Sequence, residues 1–222
     1  MEEKQHPYEI ISSKDRDEWL LNRTHGIGGS DASAVLGINP YKSNVRLWEE
    51  KTGLARPEDI SDKPYVQYGT QAEPLIRKLF ALDYPEYDVT YHEHRILRSK
   101  THPFMTASLD GELKDSDGRR GILEIKTSNI LQSAQYEKWN EKIPQIYYAQ
   151  VLHYLVVTGY EFVVLRAHLN SGYEMDRRTS VRHYFIERNE VLEDMDFLIR
   201  EETRFWRAVE SRKRPSLILP AL

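Results

Sequence analysis

The chain has 222 residues, of which 40% are hydrophobic, and its 31 Lys and Arg residues against 35 Asp and Glu residues give a formal net charge of −4. The absence of cysteine excludes disulfides, thiolate zinc sites, iron–sulfur clusters and cysteine nucleophiles. The sequence has no apolar run of about 18 residues and no secretory signal at its start. We therefore expect one domain over residues 1–222, located in the cytoplasm and without a membrane segment.

Apolar periodicity and turn residues predict helices first and strands later. The helices are predicted over residues 14–23, 32–36, 44–52, 66–82, 143–158 and 190–212. We expect Ser13, Asn44 and either Ser30 or Asp31 to cap the first three of them. The strands are predicted over residues 88–91, 94–97, 104–109, 121–126, 162–169 and 181–186. This order predicts an α/β (α+β) fold with a central mixed, mostly antiparallel sheet flanked by helices.

Two carboxylates and one amine are predicted to meet near a pair of strands. Asp110 ends one strand, and after thirteen intervening residues the next strand carries Glu124, Ile125 and Lys126. Alternation along this strand places Glu124 and Lys126 on one face. Two carboxylates and the main-chain carbonyl of Ile125 would suit Mg²⁺ or Mn²⁺, which prefer oxygen ligands. Lys126 could then orient or deprotonate an attacking water.

The alternative interpretation is a solvated strand face with an ordinary Glu–Lys pair. A metal site is favoured because Asp110 lies on the adjoining strand and a helix with internal polar residues, 145–154, follows. Glu73 is a third candidate carboxylate on an otherwise apolar helix, and it could equally be a surface residue. The pattern alone thus indicates a divalent-metal phosphodiesterase.

Five motifs in this order resemble the PD-(D/E)XK nuclease superfamily, and more narrowly its YqaJ/lambda-exonuclease family of phage-type alkaline exonucleases. The motifs are Arg23-x-x-Gly26-Ile27-Gly28-Gly29-Ser30-Asp31, Gly69-x-x-x-Glu73-Pro74, Ser108-x-Asp110-Gly111, Glu124-x-Lys126-Thr127 and Gln150-x-x-x-Tyr154. The resemblance covers residues 23–169 and implies a restriction-endonuclease-like core. Leu109 stands where the superfamily motif has a proline, a position that ligates nothing.

The resemblance assigns roles to the carboxylates and the lysine. It implies that Asp110, Glu124 and the Ile125 carbonyl ligate metal and that Lys126 serves catalysis. Glu73 would contact a metal-bound water or a second ion. The implied cofactor is Mg²⁺ or Mn²⁺, as two ions.

The resemblance also implies a pocket for the 5′-terminal phosphate of DNA. Its members would be Arg23, Ser30, Ser108 and Gln150, with Tyr154 one helical turn after Gln150. An arginine fork suits phosphate, and Ser30 would lie at a helix N-terminus, which favours anions. Ser108 and Asp110 would share one face of a strand. Two alternatives stay open: Ser30 as a helix cap only, and Gln150 with Tyr154 as a buried hydrogen-bonded pair.

The resemblance implies a metal-dependent 5′→3′ exodeoxyribonuclease that would digest one strand of linear duplex DNA to 5′-mononucleotides. The 3′ single-stranded tail would pass to a single-strand annealing protein during recombination in a bacterial host. A homotrimeric ring around the DNA would reconcile the net charge of −4 with a basic channel, for which Arg177, Arg178 and Arg182 are candidates. The alternatives are an endonuclease of the same superfamily and a catalytically silent DNA-binding subunit.

Overall fold

Two β-sheets and the helices around them are seen in the computed structural model, which describes residues 6–172 and 178–219. The helices in these residues are α1 (Arg16–Asn22), α2 (Gly29–Val35), α3 (Asn44–Lys51), α4 (Pro64–Asp83), α5 (Ser133–Glu137), α6 (Gln145–Thr158) and α7 (Leu192–Glu210). The strands are β1 (Tyr8–Ser12), β2 (Ile27–Gly28), β3 (Asp88–Thr90), β4 (Arg95–Ser99), β5 (Met105–Ala107), β6 (Gly111–Lys114), β7 (Arg120–Ile130), β8 (Phe162–Ser171) and β9 (Arg178–Glu187).

The larger sheet has the order β3-β6-β7-β8-β9 and is mixed, because β7 and β8 run parallel while its other pairs are antiparallel. The connection from β7 to the parallel β8 passes through α6, as a parallel pair requires. The smaller sheet has the order β1-β4-β5-β2. The predicted fold class, a central mixed sheet flanked by helices, is confirmed.

The two faces of β7 are covered by different helices, and this places the functional side chains. Leu123 and Ile125 pack against Phe80 of α4. Ile122, on the opposite face, belongs to the cluster that includes Leu155 of α6. Because side chains alternate along a strand, Glu124 and Lys126 also point to the α6 side. None of the helices in the described residues has the length and apolar character needed to cross a bilayer.

Three predicted helix caps are wrong. Asp15 caps α1 in place of Ser13, since its side chain accepts a hydrogen bond from the backbone N–H of Glu18. Helix α2 begins at Gly29, so that Gly28 is the cap. Helix α3 is capped by Ser43, the residue before Asn44.

Physical reasons for these cap shifts are visible around α2 and α3. The carboxylate of Asp31 reaches back to the Gly28 N–H at 3.2 Å and therefore satisfies the helix start from inside the first turn. The side-chain amide of Asn44 binds the backbone at Ser216 and Ile218, which ties the C-terminal segment to α3. Asn44 therefore does not cap α3, because distant backbone groups bind its side chain.

The predicted strand over residues 104–109 is also wrong at its end. Strand β5 stops at Ala107, and β6 starts at Gly111 in the other sheet. Residues 108–110 therefore connect the two sheets, so Ser108 and Asp110 do not share a strand face. The sequence pattern missed β6 because its central residue is Glu112, which is buried against Arg95 and Arg120. Strand β1 was not predicted either.

A buried histidine links α6, α7 and β5. His153 has no exposed surface, its Nδ1 lies 2.9 Å from a carboxylate oxygen of Glu202, and its Nε2 lies 2.9 Å from the Thr106 carbonyl. Both partners are acceptors, so both ring nitrogens donate and the imidazole is protonated. Burial alone would lower the pKa of His153, but the carboxylate of Glu202 and the two hydrogen bonds raise it.

Replacing Glu202 with Gln should destabilise the fold by about 3 kcal/mol, because a buried cation then loses its counter-charge. The raised pKa of His153 stabilises the wild type most below about pH 6.5, and this contribution declines as the pH rises above that value. The stability gap to Glu202→Gln should therefore shrink as the pH rises above about 6.5, through the raised pKa of His153. Denaturant unfolding at several pH values measures it. Glu201→Gln, at the neighbouring half-buried residue, is the control, and an equal loss there would contradict the assignment.

Candidate active site

The carboxylate of Glu124 is the most deeply buried charge of the predicted site. Glu124 has no exposed surface, although β7 carries it beside two polar partners. Its Oε1 lies 2.6 Å from the Lys126 ammonium and accepts a hydrogen bond from the Gln150 side-chain amide at 2.8 Å. Its Oε2 is buried and has no hydrogen-bond partner. A buried carboxylate oxygen without a partner is costly, unless a further cation or donor completes it.

Asp110 closes the site from the segment that joins the two sheets. Its Oδ2 accepts a hydrogen bond of 2.9 Å from the backbone N–H of Ile125. The antiparallel ladder of β6 on β7 begins only at Gly111, opposite Leu123, so Asp110 occupies the place beyond the end of β6. The N–H and C=O of one strand residue point to the same side, so the Ile125 carbonyl faces this place as well. The structure thus brings the two carboxylates and this carbonyl to one place, and their role as metal ligands stays a prediction.

Helix α4 brings Glu73 to the same place, next to Arg77, which the sequence interpretation missed. The guanidinium of Arg77 donates to the Glu73 carboxylate through Nη2 and to the Asp110 backbone carbonyl through Nε. It also lies 3.7 Å from the ring centre of Tyr91. The spacing of four residues between Glu73 and Arg77 on one helix is the signal that could have identified this pair.

Burial, and after it the repulsion between neighbouring carboxylates, raises the pKa values of the acidic groups of the site. Burial, followed by the negative charge of Asp110, raises the pKa of Glu124 to about 8 and that of Glu73 to about 7. Burial also raises the pKa of Asp110, against the effect of the Lys126, Arg77 and Arg23 charges. Burial would lower the pKa of Lys126, but Glu124 and Asp110 raise it instead. The neighbouring cations therefore do not fully compensate the negative charges of the ionised carboxylates.

A divalent cation would supply the positive charge that the carboxylates lack. The residues that the structure describes contain no group of three or more His, Asp or Glu side chains that could hold a metal by themselves. The donors that do converge are the carboxylates of Asp110 and Glu124 and the Ile125 carbonyl. Mg²⁺ and Mn²⁺ accept such a partial oxygen set and keep several waters. The unpartnered Oε2 of Glu124 is the observation that favours the fit.

The predicted phosphate-binding residues Arg23, Ser30 and Ser108 come from three different segments. Arg23 follows α1 directly, its guanidinium lies 4.4 Å from the ring centre of Trp19, and its charge acts on Asp110. Ser30 is exposed and is the second residue of α2, so the alternative of a simple helix cap is wrong. Ser108 is half-buried in the connection between the sheets.

Gln150 and Tyr154 form the buried hydrogen-bonded pair that the sequence left as an alternative. The amide nitrogen of Gln150 bridges the Tyr154 hydroxyl, at 3.0 Å, and Glu124. The Tyr154 ring packs against the start of α2, where a Cβ on Gly29 would collide with it. The pair therefore connects the glycine-rich segment to the buried Glu124 carboxylate. This leaves the assignment of Gln150 to a phosphate pocket as a prediction.

The predicted basic surface is only partly described. Arg177 lies outside the described residues, and Arg178 begins β9. The Arg182 guanidinium lies 5.4 Å from the ring centre of Tyr136 and donates to its hydroxyl.

Comparison with known proteins gives a family and a fold. A model of the YqaJ-like viral recombinase domain matches residues 18–161. The uncharacterized protein YqaJ of Bacillus subtilis (strain 168) is 36% identical over 151 residues, which are 68% of this chain and 45% of that protein. The match thus spans less than half of the length of this relative.

Two solved structures share the fold. The alkaline exonuclease LHK-Exo from Laribacter hongkongensis matches with a TM-score of 0.68 at 20% identity, over 89% of this chain and 94% of that one. A phage-related exonuclease from Haemophilus somnus 129PT matches with a TM-score of 0.56 at 16% identity, over 84% of this chain and 96% of that one. The family match contains every residue predicted for the site, from Arg23 to Tyr154. The chain belongs to the YqaJ-like viral recombinase family, as the order of its five motifs predicted.

Proposed function

We propose that residues 1–222 act as one nuclease domain that hydrolyses DNA phosphodiesters with a divalent cation. The observation that carries this proposal is the unpartnered, buried Oε2 of Glu124 beside Asp110 and Lys126. Membership of a viral recombinase family and a fold shared with exonucleases support it. The lack of cysteine fits a reducing compartment such as the bacterial cytoplasm.

The residues of the site divide the chemical work. Asp110, Glu124 and the Ile125 carbonyl would hold Mg²⁺ or Mn²⁺, which would lower the pKa of an attacking water and neutralise charge on the phosphate. Gln150 fixes the orientation of the Glu124 carboxylate through its hydrogen bond. Lys126 is a cation at neutral pH because two carboxylates raise its pKa. Its ammonium therefore donates hydrogen bonds to the water or the phosphate and stabilises developing negative charge.

We further propose a 5′→3′ direction that starts from the ends of linear duplex DNA and leaves a 3′ tail. The family resemblance supplies this direction, and the position of Arg23 supports it. Arg23 lies close enough to act electrostatically on Asp110, so a phosphate held by Arg23 would be a neighbour of the cleavage site. The exposed Ser30 at the start of α2 offers a further donor near a helix N-terminus.

End-labelled linear duplex and covalently closed circular duplex, each with and without Mg²⁺, test the reaction. We expect 5′-mononucleotides from the linear substrate only, and only with metal. Asp110→Asn should abolish cleavage, because it removes a ligand charge while keeping the side-chain volume. Asp117→Asn, in the exposed turn between β6 and β7, is the matched control. Cutting of closed circles would indicate an endonuclease, and full activity of Asp110→Asn would indicate that the site is not catalytic.

Arg23→Ala should slow digestion of 5′-phosphorylated ends by at least about tenfold, because a charged hydrogen bond contributes about 1.5–3 kcal/mol. Ends with a 5′-hydroxyl should be affected much less. Initial rates on the two substrates measure the difference. Arg16→Ala, at the opposite, exposed end of α1, is the control and should leave the ratio of rates unchanged. Equal slowing on both ends would remove Arg23 from the phosphate pocket.

We also propose that the protein forms a ring-shaped homotrimer that hands the 3′ tail to a single-strand annealing protein. Both the trimer and the single-strand annealing protein are implied by the family resemblance. The exposed apolar side chains of Tyr65, Leu75, Leu79 and Leu82 on α4 provide surface that an assembly would cover. Light scattering should give a mass three times that of one chain. A stable monomer at micromolar concentration would contradict the ring.

A further inference from the structure

The ammonium group of Lys126 contacts an aromatic ring as well as a carboxylate. Its Nζ lies 2.6 Å from an oxygen of Glu124 and 5.0 Å from the ring centre of Tyr147. Tyr147 is half-buried in the first turn of α6, three residues before Gln150. The five motifs that predicted the family do not include Tyr147, and the proposed nuclease function gives it no role so far.

We propose that Tyr147 is a positioning residue of the nuclease site, whose ring holds the Lys126 ammonium in place for catalysis. The inference rests on the proposed function, in which Lys126 donates hydrogen bonds to the attacking water or the phosphate. The face of an aromatic ring carries partial negative charge and therefore attracts a cation. This attraction is stronger where water is excluded, and the Lys126 side chain is only 19% exposed.

The ion pair with Glu124 is a weak way to fix the ammonium by itself. A lysine side chain is a flexible stem that ends in a point charge, so that a single contact leaves it much rotational freedom. The Glu124 carboxylate is also the proposed ligand of a divalent cation, whose positive charge would repel the ammonium. A neutral ring attracts the ammonium without competing for that cation, whereas a carboxylate in its place would offer the metal another ligand.

The Tyr147 ring is itself held by residues from other segments. It stacks on Trp139, with the ring centres 5.3 Å apart and the ring planes inclined by 27°. Trp139 is buried, and its backbone carbonyl accepts a hydrogen bond from the Tyr184 hydroxyl on β9. The ring that contacts Lys126 therefore has a defined position, which a positioning residue needs.

Nuclear magnetic resonance of the metal-free, full-length protein tests the contact without reference to activity. With lysine isotopically labelled at Cε, the Lys126 signal can be assigned through its loss in Lys126→Met. The ring current of Tyr147 should shift the Hε protons of Lys126 upfield. Tyr147→Phe should keep this shift and Tyr147→Leu should lose it. A wild-type Lys126 signal without the upfield shift would overturn the inference, whether or not the Tyr147 variants fold.

Single-turnover cleavage of a linear duplex separates the positioning of Lys126 from DNA binding. Tyr147→Leu should lower the cleavage rate at saturating DNA about tenfold, the factor that the loss of a partly desolvated cation–π contact would give, with an unchanged Kd for DNA. Tyr147→Phe should cleave at the wild-type rate, because it keeps the ring. Tyr148→Leu is the matched control and should also keep the rate. Tyr148 is the next, half-buried residue of α6, and its hydroxyl binds Asp194 at 2.6 Å instead of contacting Lys126.

The outcomes separate this inference from the nuclease proposal. A Tyr147→Leu protein that cleaves at the wild-type rate would overturn the role of Tyr147 and leave the nuclease proposal standing. An equal loss of rate in Tyr148→Leu would show a structural effect of α6 and would also overturn that role. Full activity of Lys126→Met would remove Lys126 from the chemistry, and Tyr147 with it. No cleavage by the wild type would overturn the proposed nuclease function itself.

Discussion

The buried carboxylate of Glu124 is the constraint on which the rest of the site depends. Moving an ionised carboxylate out of water costs several kcal/mol even after relaxation, so it must be matched by close partners. Lys126 and Gln150 supply two of them to Oε1, and Oε2 has none in the described residues. Lys126 is carried by β7 itself, whereas Gln150 is carried by α6. Helix α6 must therefore pack directly against β7, so that Gln150 can bind the buried Glu124 carboxylate.

The parallel pairing of β7 and β8 makes this possible. A parallel pair needs a crossover, and α6 is the helix in that crossover. It packs over the face of β7 that carries Glu124, while α4 covers the other face through Phe80. Glu73 and Arg77 come from α4 but reach the same point, because β6 begins only at Gly111 and leaves the adjoining edge of β7 open. The site thus lies where the two faces of the sheet meet.

The segment of residues 108–110 has a mechanical role as well as a chemical one. It leaves the smaller sheet at Ala107 and enters the larger one at Gly111, and Asp110 is anchored between them by Ile125 and Arg77. A side chain on a connection that is fixed at both sheets and by two hydrogen bonds is held in position, as the proposed catalytic role of Asp110 would require.

The sequence by itself determined the family and the mixed α/β class, and it singled out Asp110, Glu124 and Lys126 as candidates, which the structure brings close together. Alternation within one strand and the order of five short motifs are local properties, and local properties can be read without a structure. Only the tertiary structure decided that residues 108–110 join two sheets and that Gln150 binds Glu124. It also decided that Arg77 lies at the site. These features depend on contacts between segments far apart in the chain, and neither periodicity nor spacing carries information about such contacts.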